Sequence, residues 1–398
     1  MSAVMDLEKS SACILSTEQL ERFRDRAAGY DASNEFFHED FEDLQQAGYL
    51  VQAVPEELGG MGFTLAEVGR QQRHLAYYAP ADALAVNMHI YWTGVAADLW
   101  KAGDRSLEWL LREAAAGEIF AAGHAEHGIE RNVFNSNTKA VPVDGGFCFS
   151  GHKSFGTMTP VWTRFGIHGL DDSDPENPRI VHGFLSRDAD GYQIKEVWDV
   201  LGMRATKSED TILDAAFVPD RYIGRIVPQG FGGADDFVLS MFAWALVGFS
   251  NVYIGLAQAA FDRICAEVGG KTTESLTRSK AWHPEVQRTV AESAVKLDAM
   301  IAHAERTAAD WSNGVDHGDL WPAKIVATKY HVVESAYQIV DQCLDLAGGF
   351  GFARVSGWER MFRDARMGRV HPANASLTRE IVAKCHLGLD LDELPRWG

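Results

Sequence analysis

Residues 359–374 read ERMFRDARMGRVHPAN, a charged run that leads into the turn His371-Pro372-Ala373-Asn374. The proline of this turn has no side-chain proton, so it cannot act as an acid or a base. The neighbouring His371 can, because a neutral imidazole forms hydrogen bonds with a substrate and exchanges a proton near pH 7. A histidine before a proline can also be a turn residue whose ring caps a carbonyl group, and the sequence leaves both interpretations open.

Three stretches with different residue patterns make up the chain. From about Ser16 to Ala116 the apolar residues recur at helical spacing, and Ser16 can cap the first helix. From about Phe120 to Gly230 short β-rich runs alternate with Asp, Gly and Pro turns. Long helical patterns then return, at about 235–268, 284–312, 320–347 and 375–386. The order predicts an α+β, mostly α fold with three domains: an N-terminal α-helical domain (1–119), a middle β-domain (120–232) and a C-terminal α-helical bundle (233–398).

Composition and charge exclude some classes of partner. The chain has 398 residues, of which 46% are apolar and 23% are charged, so it can bury a large core. With 56 acidic against 37 basic residues the net charge is −19. Nucleic acids and anionic membranes select clustered Lys and Arg, so we expect neither as a partner.

Cysteine use and the N-terminal residues bear on location. The five cysteines are scattered and show no CxxC spacing, which is typical of a reducing compartment and gives no zinc or redox motif. Residues 1–8 lack the basic start and apolar core of a signal peptide, and no uninterrupted apolar run approaches the roughly 18 residues of a membrane span. The sequence therefore predicts a soluble cytoplasmic enzyme.

Six segments, in this order, resemble the acyl-CoA dehydrogenase superfamily of flavoproteins. They are VPEELGGMG (54–62), FSGHKSFGT (149–157), LGMRATKS (201–208), FVPD (217–220), GGFGF (348–352) and the charged run 360–366. The resemblance covers nearly the whole chain. It implies the acyl-CoA dehydrogenase fold, with an N-terminal helical domain, a β-barrel-like middle domain and a C-terminal four-helix bundle that commonly assembles into a dimer or tetramer.

The same resemblance implies a flavin cofactor, FAD or FMN. The family's counterpart of Phe155 lies on a face of the flavin ring, and that of Thr157 lies near its N5 atom. Further cofactor contacts are implied for Glu126 and His127, in the loop AEHGIERN (125–132), and for the turn glycines Gly348 and Gly349. Family contacts to the adenylate half of FAD are absent, since the usual arginine falls at position 270, a glycine, and the usual glutamine at position 345, an aspartate. FMN is therefore an open alternative.

Residues for thioester dehydrogenation are missing at the matching positions. The catalytic glutamate of many family dehydrogenases falls at Pro372, and the alternative glutamate falls near Ala245. Residues that commonly engage acyl-CoA fall at Ala243 and Leu246. Removal of an α-proton needs a positioned base, commonly worth about 10²–10⁴-fold in rate, so a standard desaturase would be handicapped.

His371 instead resembles the histidine of flavin-dependent monooxygenases with this fold, which transfer oxygen from a C4a-(hydro)peroxyflavin. A second cluster lies in NMHIYW (87–92): we predict His89 as a second catalytic residue, with Tyr91 and Trp92, together with Asn374, as substrate contacts. Ordinary helix packing is the competing interpretation for His89 and Trp92. His124 and His127 beside Glu126 form no convincing set of ligands, so we predict no metal site.

Three hypotheses about function follow from these residues. The favoured one is a monooxygenase that oxidises a small aromatic, amine or sulfur compound with electrons from a partner flavin reductase. The second is an FAD-dependent acyl-CoA or acyl-carrier thioester dehydrogenase with a non-standard base. The third is a catalytically silent homologue that serves as a binding or structural protein.

Overall fold

Five helices form the first part of the fold. The computed structural model describes residues 13–127, 134–270, 272 and 277–393, so most of the predicted cofactor loop, residues 128–132, lies outside the described residues. The N-terminal helices are α1 (Thr17–Ser33), α2 (His38–Gln46), α3 (Leu65–Tyr78), α4 (Pro80–Lys101) and α5 (Glu108–Ala115). The expected cap is confirmed, because the Ser16 side chain accepts a hydrogen bond from the backbone N–H of Gln19.

A single sheet of eight strands follows. The strands are β1 (Phe120–Gly123), β2 (Lys139–Val143), β3 (Gly146–Gly156), β4 (Arg164–Asp171), β5 (Arg179–Ser186), β6 (Tyr192–Lys195), β7 (Glu209–Pro219) and β8 (Ile223–Pro228). Their order is β6-β7-β3-β2-β4-β5-β8, and β1 pairs in parallel with β4. Strand β3 ends immediately before Thr157, so the sheet presents the FSGHKSFGT segment at one of its ends.

Five helices complete the described chain. They are α6 (Asp236–Gly270), α7 (Pro284–Ser312), α8 (Trp321–Ala347), α9 (Trp358–Met367) and α10 (Ala375–Leu387). The mostly helical α+β fold is confirmed, and the bounds of α6, α7, α8 and α10 lie within two residues of the sequence-based ones. Helix α9 was not predicted. The three domain boundaries remain a prediction; the nearest breaks between elements fall at 116–119 and 229–235.

Helix α6 is the centre of the core. Contrary to the expectation from the sequence, this helix contains an 18-residue segment that is long and apolar enough to span a membrane, with a mean hydropathy of 1.7. However, 83% of that segment is buried inside the protein. A helix that is apolar on all sides must be covered on all sides. Helices α3, α4, α7 and α8 all pack against it. The composition of α6 is therefore accounted for by its place in the core.

Buried polar groups fix how these helices are arranged. The Asp98 carboxylate on α4 accepts hydrogen bonds from the indole N–H groups of Trp244 on α6 (2.7 Å) and Trp311 on α7 (2.9 Å). The Arg73 guanidinium on α3 contacts Asn251 on α6 and Glu305 on α7. Such contacts have narrow geometry, so they select one arrangement among the many that an apolar interface allows.

Close approach of α4 and α6 depends on Gly94. A methyl group added there would lie 2.1 Å from Cδ2 of Trp244, whereas one added at Gly29 on the exposed face of α1 meets nothing within 4 Å. We expect Gly94→Ala to lower the free energy of unfolding by about 1–3 kcal/mol through overpacking. The control Gly29→Ala is expected to raise it by up to about 1 kcal/mol, because alanine favours a helix. Urea unfolding measures both, and equal effects would contradict the proposed packing.

Candidate active site

A cavity of about 230 Å³ lies where the sheet, helices α4 and α6 and the turn after α9 meet. Its walls are mostly apolar. Polar side chains come from six of the described lining residues: Tyr91, His124, Thr157, Thr206, Ser208 and His371. None of the described lining residues is Asp or Glu. The described part of the cavity thus offers hydroxyl and imidazole groups, and no carboxylate, to a ligand.

His371 is held in the wall by two residues of α6. Its Nε2 atom lies 2.8 Å from the Tyr253 hydroxyl, and its ring stacks on Phe249 with centroids 4.8 Å apart. Burial lowers the pKa of His371 to about 3, and the Lys329 ammonium contributes in the same direction. The imidazole is therefore neutral at physiological pH, and it is oriented by hydrogen bonding and stacking.

Lys329 on α8 binds the backbone of the turn that carries His371. The Lys329 ammonium donates hydrogen bonds to the carbonyl oxygens of His371 (2.7 Å) and Ala373 (3.2 Å). Only 1% of this lysine is exposed, and burial lowers its pKa to about 7. A buried cation bonded to two carbonyls fixes the turn that carries His371.

Tyr91 reaches the cavity from α4. Its side chain is 3% exposed, and its hydroxyl is buried with no hydrogen-bond partner among the described residues. Burial raises the pKa of Tyr91 well above its usual value, so the hydroxyl stays protonated. An unpaired buried hydroxyl costs about 1–3 kcal/mol, which a polar ligand atom in the cavity would recover.

Hydroxyl groups form a chain along another part of the wall. The Thr157 hydroxyl lies 2.7 Å from that of Ser208, which lies 2.8 Å from that of Thr206. Phe155, two residues before Thr157, is 56% exposed and has a φ of 60°, a left-handed conformation that is costly for an aromatic residue. The fold thus places an uncovered aromatic face beside a line of hydrogen-bonding groups.

Three predicted substrate-side residues lie outside the lining. The His89 ring bonds the carbonyl of Leu50 (3.1 Å) and accepts from the backbone N–H of Phe120 (3.0 Å). The Trp92 indole donates to the carbonyl of Ala121, and the Asn374 side chain caps α10. Because these polar groups already bind backbone, we leave the three residues out of the proposed substrate contacts.

Some of the predicted cofactor residues line the cavity and others do not. Phe155 and Thr157 line the cavity, whereas Glu126 is buried behind it in an ion pair with Lys153. The Glu126 carboxylate also accepts from Ser136 and Thr138, so it holds the start of the cofactor loop to the sheet. The other predicted contacts lie outside the lining: His127 is exposed, and Gly348 and Gly349 form the turn after α8.

His127 belongs to an exposed polar group on the sheet. Potential ligand atoms of His127, His152 and Asp210 lie within 4.8 Å of one another, and His152 Nε2 bonds Asp210 at 2.7 Å. The sequence did not suggest this grouping, because the three residues come from separate strands and loops. We keep the absence of a metal as a prediction.

Sequence reasoning missed several residues of the site. Thr206 and Ser208 lie in LGMRATKS, so their segment was identified but their hydroxyls were not singled out. The sequence suggested His124 as a substitute in the flavin loop or a solvated turn residue rather than a metal ligand, and it gave no sign that the ring lines the cavity. Tyr253 and Lys329 had no local signal, because a lone polar residue in a helical pattern looks the same whether it faces a site or solvent. Only the packing of α6 and α8 against the turn reveals them.

Comparisons with known proteins agree with the fold. Residues 247–375 match the family described as acyl-CoA dehydrogenase, C-terminal domain. The L-evernosamine nitrososynthase of a Micromonospora species is 27% identical over 93% of this chain and 88% of its own length. A cyclohexane-1-carbonyl-CoA dehydrogenase from Geobacter metallireducens is 25% identical over 92% of this chain and 93% of its own length. The structure of KijD3 with FMN and dTDP-3-amino-2,3,6-trideoxy-4-keto-3-methyl-D-glucose superposes with a TM-score of 0.84 at 26% identity, covering 99% of this chain and 96% of that one.

Together, the fold and the matched relatives support a flavin-dependent oxidoreductase, and the superposed KijD3 structure contains FMN. The family match and the relatives support the acyl-CoA dehydrogenase superfamily, and the matched relatives include both dehydrogenases and monooxygenase-type enzymes. The cavity fits a flavin ring, because the exposed Phe155 offers a stacking face and the Thr157 hydroxyl offers a hydrogen bond at its edge.

Lys329 makes stability depend on pH in a defined direction. Its pKa is about 7 in the folded protein and about 10.4 in an unfolded chain, so the unfolded state binds more protons between these values. Between these pH values, the free energy of unfolding of the wild type should therefore rise with pH. Compared with the Lys329→Met variant, the rise should reach up to about 1.4 kcal/mol per pH unit. Urea unfolding from pH 7 to 10 measures it, with Lys195→Met at an exposed lysine as the control. Parallel pH curves for wild type and Lys329→Met would contradict the proposed burial.

Proposed function

We propose that this protein is a flavin-dependent monooxygenase that oxidises a small amine, aromatic or sulfur compound, with an amine favoured. The observation that carries the proposal is the wall of the cavity. A neutral His371 stands on the turn where family dehydrogenases commonly have a glutamate, and no carboxylate is present among the described lining residues. A site without a carboxylate is poorly suited to α-proton removal, whereas neutral hydrogen-bonding groups suit oxygen transfer.

Each residue has a role that follows from its surroundings. Phe155 and Thr157 would hold a flavin ring, which in its reduced form would supply two electrons for a reaction in which dioxygen gives one oxygen atom to the substrate and the other to water. His371, oriented by Tyr253, binds the substrate and moves a proton at the reacting heteroatom. The Tyr91 hydroxyl, which has no hydrogen-bond partner among the described residues, can bind the same group. The apolar walls hold the rest of the substrate and exclude water.

Amine oxidation is favoured by the relatives. The nitrososynthase and the FMN-bound KijD3 complex are named for amino sugars, and both cover nearly the whole chain. A neutral imidazole and a protonated phenol match an uncharged amine nitrogen, which carries both a lone pair and N–H groups. The proposed source of electrons is a separate flavin reductase.

The dehydrogenase alternative rests on the matched cyclohexane-1-carbonyl-CoA dehydrogenase, but the described lining of this chain offers it no carboxylate base. A silent homologue would retain the fold and bind ligands without turnover. The reaction of the reduced protein with oxygen separates the three functions.

Anaerobic photoreduction of the flavin-loaded protein, followed by rapid mixing with oxygenated buffer, tests the proposal. We expect a transient absorbing species between reduced and oxidised flavin, because a monooxygenase must hold activated oxygen until the substrate reacts. Slow reoxidation without a transient, together with reduction of the oxidised protein by an acyl thioester, would instead establish a dehydrogenase. No turnover with either would establish a silent homologue.

His371→Phe identifies the contribution of the imidazole within the same experiment. The substitution keeps a ring to stack on Phe249 but removes both nitrogens. We expect the yield of oxygenated product to fall about 10²-fold or more while flavin binding is retained. The same change at the exposed His386 is the control, and equal product yields from the two variants would rule out a role for His371.

An exposed apolar turn supports a homo-oligomer. Phe350, Phe352 and Val355 follow α8 and are 70%, 66% and 86% exposed. We expect light scattering to give a multiple of the 43.9 kDa chain mass, and changing all three residues to serine to lower that multiple. An unchanged mass in the triple variant would place the interface elsewhere.

The cytoplasmic location also remains a proposal.

A further inference from the structure

The sequence of hydrogen bonds behind the cavity fixes the tautomer of one lining residue, His124. This histidine follows β1, and its Nδ1 atom lies 3.1 Å from Nδ1 of His168 on β4. The Nε2 atom of His168 lies 3.2 Å from the carbonyl oxygen of Asn135. A carbonyl oxygen can only accept, so His168 must carry its proton on Nε2.

The rest of the chain of bonds follows from that assignment. Burial, together with the nearby Lys153 ammonium, holds the pKa of His168 well below its usual value, so the ring is neutral and its Nδ1 is an acceptor. His124 must then donate from Nδ1. Burial likewise lowers the pKa of His124 well below its usual value, so its Nε2 is left as a bare lone pair.

That lone pair has no partner in the described part of the chain. Nε2 of His124 is buried and without a hydrogen bond, although the residue lines the cavity. The ring is held in place, since it packs on Trp92 at 5.4 Å and on His168 at 5.1 Å between centroids. His168 is in turn fixed by Lys153, whose ammonium donates to its carbonyl oxygen at 2.6 Å.

We infer that His124 is a specificity-determining residue that accepts a hydrogen bond from an N–H or O–H group of the substrate, and that His168 positions it by fixing its tautomer. The inference rests on the proposed oxidation of a substrate in this cavity. It selects amines, hydroxylamines and phenols over thioethers and tertiary amines, because the latter cannot donate. It also gives the cavity an acceptor that complements the Tyr91 hydroxyl, which can donate.

Two probes that differ by a single N–H group test this selection. Indole and 1-methylindole are titrated into the oxidised flavin-loaded protein, and binding is followed by the change in flavin absorbance. We expect wild type to prefer indole about five- to tenfold, the range of one hydrogen bond. His124→Phe should abolish the preference, and His38→Phe, the same change at an exposed histidine, should retain it.

Variants of His168 test the positioning role. His168→Asn keeps an acceptor oxygen near the position of Nδ1 and should keep the preference for indole, whereas His168→Leu removes the acceptor and should lose most of it. Histidine labelled with ¹⁵N gives a direct readout, since His124 should show a protonated Nδ1 and a bare Nε2 in wild type. A bare Nδ1 in wild type would overturn the tautomer assignment.

The group that donates a hydrogen bond to His124 could belong to the substrate or to the flavin, and measurements of flavin affinity distinguish the two. Titration of each apoprotein with FMN and FAD should give similar dissociation constants for wild type and His124→Phe. If His124→Phe weakens flavin binding about tenfold and retains the preference for indole, His124 serves the cofactor and the inference falls. These titrations need no turnover. A loss of the indole preference in His124→Phe would therefore support the inference even if the oxygen reaction failed to show a monooxygenase.

Discussion

The need to cover helix α6 on every side organises the protein. An apolar helix of this length is stable in water only inside a core, so α3, α4, α7 and α8 must surround it. Close approach is possible because small residues lie at the crossings, as at Gly94 against Trp244. The same helix supplies Ala245 and Leu246 to the cavity wall, and Phe249 and Tyr253 to His371. Core packing and the active site thus depend on one element.

Buried polar groups give the cavity its chemical character. The Glu126–Lys153 ion pair is desolvated, yet both partners make further hydrogen bonds, which is the condition under which such a pair is tolerated. It fixes Glu126, at the start of the predicted cofactor loop, and the strand that carries His168. On the opposite side, Lys329 bonds the backbone of the turn at His371. Two buried lysines that never reach the cavity therefore position the residues that do.

Neutral groups are what distinguish this site from that of a thioester dehydrogenase. Burial favours the uncharged forms of His124, His371 and Tyr91, and no described lining residue offers a carboxylate. Such groups can donate, accept and exchange protons without attracting a counter-ion. Chemistry that needs oxygen to be held and passed to an uncharged heteroatom is consistent with these surroundings, whereas carbanion chemistry requires a stronger base.

The sequence by itself determined the element order and the long helices, because hydrophobic period and turn residues are local signals. The superfamily was indicated by the resemblance of six short segments. The sequence also identified His371, Tyr91, Phe155 and Thr157, all of which line the cavity. It could not separate them from His89 and Trp92, whose polar atoms bind backbone carbonyls that come from other segments. Only the tertiary structure determines these backbone partners of His89 and Trp92. It also determines that His124 faces the cavity and that Lys329 faces the turn. Residues far apart in the chain make these contacts, and no local pattern records which side of an element meets which neighbour.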